Sequence, residues 1–552
     1  MQAFAALLDR LSFEPRRSVK EDLLVDYLRR TPDPDRGYAL AALAGDLSFS
    51  HAKPALLRQL AAERTDPHLF ELSYDFVGDL SETIALMWPE PEAPSLGHNQ
   101  PPPALAVIVE ALANAARSDV GALLEAWLDR LDEVGRWALL KLVTGGLRVG
   151  VSARSAKVAV ARLGDLDPAE VEEVWHGLTP PYQPLFDWAE GRAGRLSYRD
   201  PAPFRPAMLA HPFDPEKDGE GLDLRDWQVE WKWDGIRVQA VAGLDASGTR
   251  VARLYTRTGE DISAAFPDLL PELTFDAAID GELLVVRDGI VAPFADLQKR
   301  LNRKTVGPKL LREHPVGLRA YDLLSLAGDD QRDQPLSLRR ARLAELVAQT
   351  ASPRIDLSPV LDVADREALA AARSQPDAHL DADDAAAVEG LMLKRLDSTY
   401  LAGRPKGPWF KWKKDPHLID AVLMYAQRGH GRRSSFYSDY TFGVWDGAEG
   451  EDGASRLVPV GKAYFGFTDD ELKDIDHFVR NNTVNRFGPV REVVQSPDAG
   501  LVLEVAFEGL ARSPRHKSGV AMRFPRISRL RWDKPAGEAD RLETLKLLLR
   551  ED

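Results

Sequence analysis

The sequence predicts a multidomain protein with an all-α N-terminal region, an α+β central domain and a small C-terminal β-barrel or sandwich. Three observations predict it. A chain of 552 residues is too long for one ordinary hydrophobic core. Apolar residues recur at helical spacing up to about residue 200, and Pro201-Ala-Pro-Phe-Arg-Pro206 then marks a change to mixed strands and helices. Beyond Pro416 the apolar runs are short and separated by turn residues. The expected domains are therefore 1–200, 201–415 and 416–552.

The N-terminal elements follow from their punctuation. Ser18-Val-Lys-Glu21 has the form of a capping box ahead of Leu24, Tyr27 and Leu28, and Thr31-Pro-Asp-Pro34 stops that helix. The proline-rich stretch Trp88–Pro103 reads as an exposed loop. Helical patterns follow over Ala104–Ala116, Val120–Val134, Arg136–Val143, Ser152–Leu163 and Pro168–Leu178. Between two of them lies Thr144-Gly-Gly-Leu-Arg-Val-Gly-Val-Ser152. It is either a plain turn or a loop whose glycines bring the backbone near a phosphate, with Arg148 and Ser152 as its contacts.

In the central region helices are expected over Ile262–Leu270 and Leu338–Ala348, with one helix plus loop in Ala364–Ala387. C-terminal strands are expected over Ile419–Ala426, Tyr440–Trp445, Arg456–Val460 and Leu501–Phe507. Helices are expected at Asp469–Val479 and Leu542–Leu549. No internal repeat stands out.

Cysteine is absent, which excludes a disulfide framework, cysteine-ligated zinc and thiol catalysis. No signal-peptide pattern and no apolar run of 18 residues occurs, so a soluble, cytoplasmic protein without a membrane partner is expected. The net charge of −15 argues against a nucleic-acid partner only on average. Lys299, Arg300, Arg303, Lys304, Lys309 and Arg312 form one acid-free basic run, and Arg512 to Lys534 holds another, opposed only by Asp533. Such patches suit a phosphate backbone.

Gln228-Val-Glu-Trp-Lys-Trp-Asp-Gly-Ile-Arg237 reads as a strand and turn. Val229, Trp231 and Trp233 alternate with Glu230 and Lys232, so the acid and the lysine share the other face. Asp280 and Glu282 share a face in Ala278–Val286, Glu389 stands in the apolar run Ala387–Lys394, and Lys411 and Lys413 alternate with aromatics in Trp409–Lys414. A carboxylate inside an apolar strand is costly unless paired or metal-bound. The set therefore fits one shared charged pocket.

These stretches resemble the signature motifs of the covalent nucleotidyltransferases, and specifically of the ATP-dependent DNA ligases. Lys232-Trp-Asp-Gly-Ile-Arg237 matches the family's Lys-x-Asp-Gly-x-Arg motif. Arg257-Thr-Gly259, Asp280-Gly-Glu282, Leu318–Leu324, Glu389–Lys394, Trp409–Lys414 and the pair Arg523–Arg526 with Arg531–Lys534 follow in the family's order. Tyr321 departs from the more frequent phenylalanine but can still stack on a base. The flanks are similar too. Residues 1–200 resemble the helical DNA-binding domain of larger bacterial-type members, and Met424–Arg433 with Tyr440–Trp445 resembles an OB-fold opening.

The resemblance implies an ATP-grasp-like ligase core between those domains, and nick sealing in duplex DNA by a monomer associated with the bacterial nucleoid. It implies ATP as AMP donor with Mg²⁺, or alternatively Mn²⁺. Lys232 would carry the AMP as a lysyl-adenylate. A neutral amine is required, and an ordinary lysine with a pKa of about 10.4 is only about 0.1% neutral near pH 7.5. Glu230 would contact adenine, Tyr321 stack on it, Arg237 and Glu282 hold the ribose or nicked end, and Arg257 hold phosphate or sugar. Glu389, with Glu282, would bind the metal; Lys411 and Lys413 would meet phosphate. Arg531 and Lys534 would orient pyrophosphate when the C-terminal domain closes about a hinge near Lys414–Leu418. Arg148, Ser152, Lys299, Arg300, Arg303 and Lys304 would grip the duplex. The rival readings are an RNA ligase or capping guanylyltransferase and a scaffold that has lost catalysis; an NAD-dependent ligase would need the missing cysteines, and no P-loop motif is present.

Overall fold

The computed structural model describes residues 1–549 apart from 50, 78, 90–100, 176, 197–199, 302, 304, 429–435, 448–455, 489 and 515. Most of the expected Trp88–Pro103 loop, Lys304, Arg515 and most of the proposed OB-opening glycines and arginines thus lie outside the described residues. The chain forms two compact units, Met1–Leu163 with Asp415–Asp552, and Gly164–Lys414. The helices Pro168–Trp175 and Gln183–Ala189 group with the central strands rather than with the helices before them.

The helical part of the first unit runs from Gln2–Phe13 to Ala153–Leu163. Its second helix, Arg17–Arg30, carries no side-chain cap, so the expected capping box at Ser18 is not formed. Glu21 reaches Arg17 instead, at 2.9 Å, and Ser18 lies within the first turn. A repeat that the bare sequence concealed does exist. Leu28, Arg30, Arg36, Leu40, Gly45 and Leu47 recur as Leu128, Arg130, Arg136, Leu140, Gly145 and Leu147, an offset of 100 residues. Arg36 donates to the Leu28 carbonyl at 3.3 Å and Arg136 to that of Leu128 at 2.8 Å. Both arginines are buried, and the helices they open, Asp35–Ala44 and Glu133–Thr144, each end on a left-handed glycine. Few positions carry the likeness, so composition and periodicity do not reveal it.

Lys141 in the second of those helices is 7% exposed and donates to Asp79, the N-cap of Leu80–Met87, at 2.5 Å. Burial alone would raise the Asp79 carboxyl. The Lys141 ammonium and the Glu82 N–H outweigh it and hold the carboxyl below the ordinary carboxylate range.

In the second unit the strands are β1 (Trp227–Trp233), β2 (Ile236–Leu244), β3 (Arg250–Thr256), β4 (Ala277–Arg287), β5 (Val316–Leu326), β6 (Val388–Arg395) and β7 (Trp409–Lys413). One sheet has β1 antiparallel to β6 and β6 antiparallel to β7, with short edge strands His211–Pro212 and Val360–Leu361. The other runs β3-β2-β4-β5 and continues to Asp329–Asp330, all antiparallel, with Ile355–Leu357 parallel to β5. Its core is built by Val238, Leu254, Phe266, Ile279, Leu283, Leu318 and Leu323, with Leu343 from the helix Leu336–Thr350. The expected helix over Ile262–Leu270 is instead two 3₁₀ turns, Ser263–Ala265 and Leu270–Glu272. Pro267 and Pro271 withhold the donors that a continuous helix needs. Ala364–Ala387 holds two helices, Arg366–Ser374 and Ala382–Ala386, rather than one.

The C-terminal strands are β8 (His417–Arg428), β9 (Tyr437–Asp446), β10 (Arg456–Ala463), β11 (Val502–Phe507) and β12 (Arg526–Arg531). The 12-residue β8 pairs along one side with β9 and along the other with β11 and then Val490–Val493. One long strand thereby organises an OB-like antiparallel sheet around Tyr440, Phe442, Val460, Leu503 and Phe507. Ile475 of the helix Asp469–Asn481 joins that core, and Thr468 and Glu471 form its capping box.

For the Asp79–Lys141 link the sign is fixed. A depressed carboxyl contributes stability that is present above its unfolded pKa, about 4, and is lost as pH falls through the folded value. Asp79→Asn is expected to lower the melting temperature at pH 7 and to show a smaller further loss between pH 5 and 3 than the parent, measured by circular dichroism.

Candidate active site

Strand register turns the alternating residues of β1, β6 and β7 into a grid on one sheet face. Its rows are Lys232, Gly390 and Lys413; Glu230, Met392 and Lys411; and Gln228, Lys394 and Trp409. The reverse face is apolar. Trp231, Leu391 and Trp412 form one row and Val229, Leu393 and Phe410 the next, packed with Phe213 and Leu369. The period-two pattern read in Gln228–Trp233 is thus realised.

Glu389 belongs to neither face by simple alternation. The β1–β6 pairing passes from Val388 to Gly390 across a bulge that sets Glu389 apart. Its carboxylate accepts from the Lys232 ammonium at 2.6 Å, and Lys413 Nζ lies 3.8 Å from the same oxygen. Gly390 is required by this geometry. Its φ is +142°, and a Cβ there would stand only 2.2 Å from the Trp412 carbonyl oxygen. A second bulge sits in the β4–β5 pairing, where Gly281 faces Ala320 and Asp280 faces Asp322, leaving Tyr321 as the extra residue. Its hydroxyl donates to Asp280 at 3.3 Å, and burial pushes it well above the ordinary tyrosine range.

On β4, Glu282 lies between Arg237 of β2 and Arg319 of β5. Burial pushes its carboxyl up to about 8, although Lys232 and Arg237 act to lower it; Glu389 and Asp280 add to the rise. Arg237 is committed to Asp280, at 2.9 and 2.5 Å, and to the Met208 carbonyl at 2.7 Å. Tyr400 also donates to Asp280, at 2.7 Å. Lys411 is held below the ordinary lysine range by burial and then by Arg404, Lys232, Lys413 and Arg257. Five cations crowd one another here, a field that an anion relieves. Arg257 is exposed.

The sequence reading assigned no role to Lys394, Tyr400 or Asp420. Lys394 is 1% exposed and donates to both oxygens of Glu230, itself 1% exposed, at 3.0 and 3.2 Å. The signal was present: a lysine in the same apolar strand that drew attention to Glu389. In the C-terminal sheet, Asp420 accepts from Arg531 at 3.1 Å and from Lys534 at 2.8 Å. Nothing in the spacing of these residues announces that meeting.

Among the DNA-contact candidates, Arg148 is exposed with φ 47°. Ser152 accepts from the Ser155 N–H at 3.1 Å and caps the helix Ala153–Leu163. Lys299 and Arg303 are exposed; Lys299 pairs with Asp296 at 2.7 Å, and Arg303 donates to the Lys299 carbonyl at 2.6 Å. Arg300 corrects the expectation. Its side chain is 0% exposed, paired with Asp268 at 2.5 Å and bonded to the Ala265 and His314 carbonyls. It stitches the segment to the core and presents nothing to a duplex.

For a metal, the fitting donors are the oxygens of Glu389 and Glu282, both in the electrostatic surroundings of Lys232. No group of three or more metal-ligating side chains occurs among the described residues. Two carboxylates with phosphate and water completing the shell suit Mg²⁺, which seldom takes an all-protein cage. Among the described residues, no helix is long and apolar enough to cross a membrane.

A lysine-and-carboxylate face of this kind, in a chain that also carries an OB-like sheet, defines the class: a nucleotidyltransferase core. Comparison with known proteins gives the family. The model of the ATP dependent DNA ligase domain matches residues 207–413, and that of the ATP dependent DNA ligase C terminal region matches 433–534. The "Probable DNA ligase" of Koribacter versatilis is 30% identical over 100% of this chain and 96% of its own length. "DNA ligase 1" of Korarchaeum cryptofilum is 29% identical over 99% and 97%. A solved structure described as Pmar-Lig_PreS3 shares the fold with a TM-score of 0.56 at 15% identity, over 96% of this chain and 99% of that one. The chain belongs to the ATP-dependent DNA ligases.

The corrected role of Arg300 is testable. Arg300→Met leaves Asp268 to the partly exposed Arg354, 2.8 Å away, and takes the Arg300 donors from the Ala265 and His314 carbonyls. It is expected to cost about 2–3 kcal/mol of stability, read by denaturant unfolding, without changing the salt slope of DNA binding. Arg303→Ala is expected to leave stability within about 0.5 kcal/mol and to weaken DNA binding.

Proposed function

We propose that this enzyme seals nicks in duplex DNA through a covalent adenylate on Lys232. The observation that carries the reading is the Lys232 amine on a polar sheet face, 2.6 Å from Glu389 and flanked across the strands by Lys413 and Lys411. The amine, once it has lost its proton, attacks the α-phosphorus of ATP. The nitrogen–phosphorus bond forms as the bond to the β-phosphate oxygen breaks, and pyrophosphate leaves. Arginine would not serve, because it stays protonated. An oxygen of the 5′-phosphate at the nick then displaces the lysine nitrogen to give DNA-adenylate. The 3′-hydroxyl attacks that 5′-phosphorus, expels AMP and closes the strand.

The chain's other residues bind, orient and balance charge. Glu230 accepts from the adenine amino group and Tyr321 stacks on the ring. Lys411 and Lys413 meet the phosphates, which relieves the repulsion that holds Lys411 below its ordinary range. Glu389 and Glu282 would hold Mg²⁺, or Mn²⁺, whose chemistry is to spread the charge on the α-phosphate. Arg257 contacts phosphate or sugar. Arg237, tied to Asp280, supports the ribose side of the pocket. Arg531 and Lys534 exchange Asp420 for pyrophosphate when the C-terminal part closes, hinging near the unit boundary between Lys414 and Asp415. The N-terminal helices, with Arg148 and Ser152, and the exposed Lys299 and Arg303 grip the backbone of the nicked duplex, and the enzyme works as a monomer.

The test is a sealing assay on nicked DNA and nicked RNA with ATP, GTP or NAD. Sealing of DNA with ATP is expected. Lys232→Ala should lower it by more than about 10⁴-fold yet still seal a nick supplied already adenylated. Sealing of ordinary nicks by that variant would remove Lys232 from the role. A Glu389→Gln variant should demand more metal for the same rate; an unchanged metal titration would assign the ion elsewhere.

A further inference from the structure

We propose that Lys394 is a positioning residue that lets the nucleotide pocket distinguish ATP from GTP, by holding Glu230 as a fixed, acceptor-only carboxylate. The inference rests on the reading above in which Glu230 meets adenine. Strand pairing does not dictate the contact. The cross-strand neighbours of Lys394 are Gln228 and Trp409, whereas Glu230 lies opposite Met392, one row further along. The lysine side chain crosses that row, and its ammonium donates to Oε1 at 3.0 Å and to Oε2 at 3.2 Å. The Gln228 amide also donates to Oε1. Oε1 thus serves two donors, while Oε2 serves one and retains capacity for another.

The same ammonium lies 4.3 Å from the ring centroid of Tyr321 and 4.8 Å from that of Trp409. One cation therefore touches both the acceptor that would meet the edge of the base and the aromatic that would meet its face. A fully buried ion pair is poor value as a stabiliser, since well-packed apolar residues of like volume do as well or better. What an apolar pair cannot supply is a charged acceptor in a fixed place. Adenine presents an amino donor at C6, where guanine presents an oxygen. A carboxylate locked by donors on its inner side attracts the first and repels the second, and a site built to bond one group rejects an analogue lacking it.

The test measures self-adenylation of the full-length enzyme with ATP and with GTP, resolving kcat and KM, for the parent, Lys394→Met, Lys394→Arg and Glu230→Gln. In Lys394→Met the ATP-over-GTP ratio of kcat/KM is expected to fall by at least about tenfold, chiefly through KM for ATP. Lys394→Arg, which keeps a cation, should recover part of the ratio. If circular dichroism finds Lys394→Met unfolded, Lys394→Gln, whose amide keeps one hydrogen bond, is read in its place. A ratio unchanged in the folded Lys394 variant but lowered in Glu230→Gln would overturn the inference and leave the adenine reading standing. A ratio unchanged in Glu230→Gln would overturn that reading, and the inference with it.

Discussion

The 2.6 Å contact between the Lys232 ammonium and the Glu389 carboxylate is the interaction on which the site is built. Both groups are partly buried, at 23% and 17% side-chain exposure, where an unpaired charge would be costly. Their pairing requires three conditions at once. β1 and β6 must be in register, β6 must bulge between Val388 and Gly390, and residue 390 must be glycine so that β7 can approach. The apolar reverse face supplies the force that meets these conditions. Trp231, Leu391 and Trp412 are neighbours there, and a one-residue slip of any of the three strands would turn its own member of that row to the polar face.

The neighbouring sheet contributes through the same device. Arg237, Glu282 and Arg319 are matched across β2, β4 and β5, and the bulge at Tyr321 turns an aromatic out of the alternation toward Asp280. Two bulges thus present the two side chains that simple pleating would have aimed elsewhere. Buried charge is balanced locally around them: Arg237 with Asp280, Arg339 with Asp322, Lys394 with Glu230. Lys411 and Glu282 stay displaced from their ordinary ranges, one downward and one upward. A nucleotide with its metal would relieve both displacements, since it brings negative phosphate to the first and positive charge to the second.

Much of this was legible in the residues. The alternation in Gln228–Trp233 places Glu230 and Lys232 on one face, and the family's motif order identifies their companions. What failed had local causes in some places and long-range ones in others. Pro267 and Pro271 divide an apparent helix, and Glu21 prefers Arg17 to an N-cap. Arg300 looks like its basic neighbours in sequence, but its burial against Asp268 depends on chain packing 32 residues away. Bulges add one residue to one strand and have no compositional mark, so Glu389 and Tyr321 could be named but not placed. The meetings of Lys394 with Glu230 and of Asp420 with Arg531 span 164 and 111 residues. Long-range pairings of that kind are set by register and topology, and spacing along the chain does not encode them.

One amine on this sheet face, that of Lys232, is proposed to receive the nucleotide. The most direct measurement is peptide mass spectrometry of the enzyme after incubation with ATP and Mg²⁺, under conditions that preserve an acid-labile phosphoramidate. One AMP-mass adduct is expected, on the peptide carrying Lys232, discharged when nicked DNA is added. An adduct on Lys411, Lys413 or Lys394, or none at Lys232 in enzyme that seals nicks with ATP, would contradict that role.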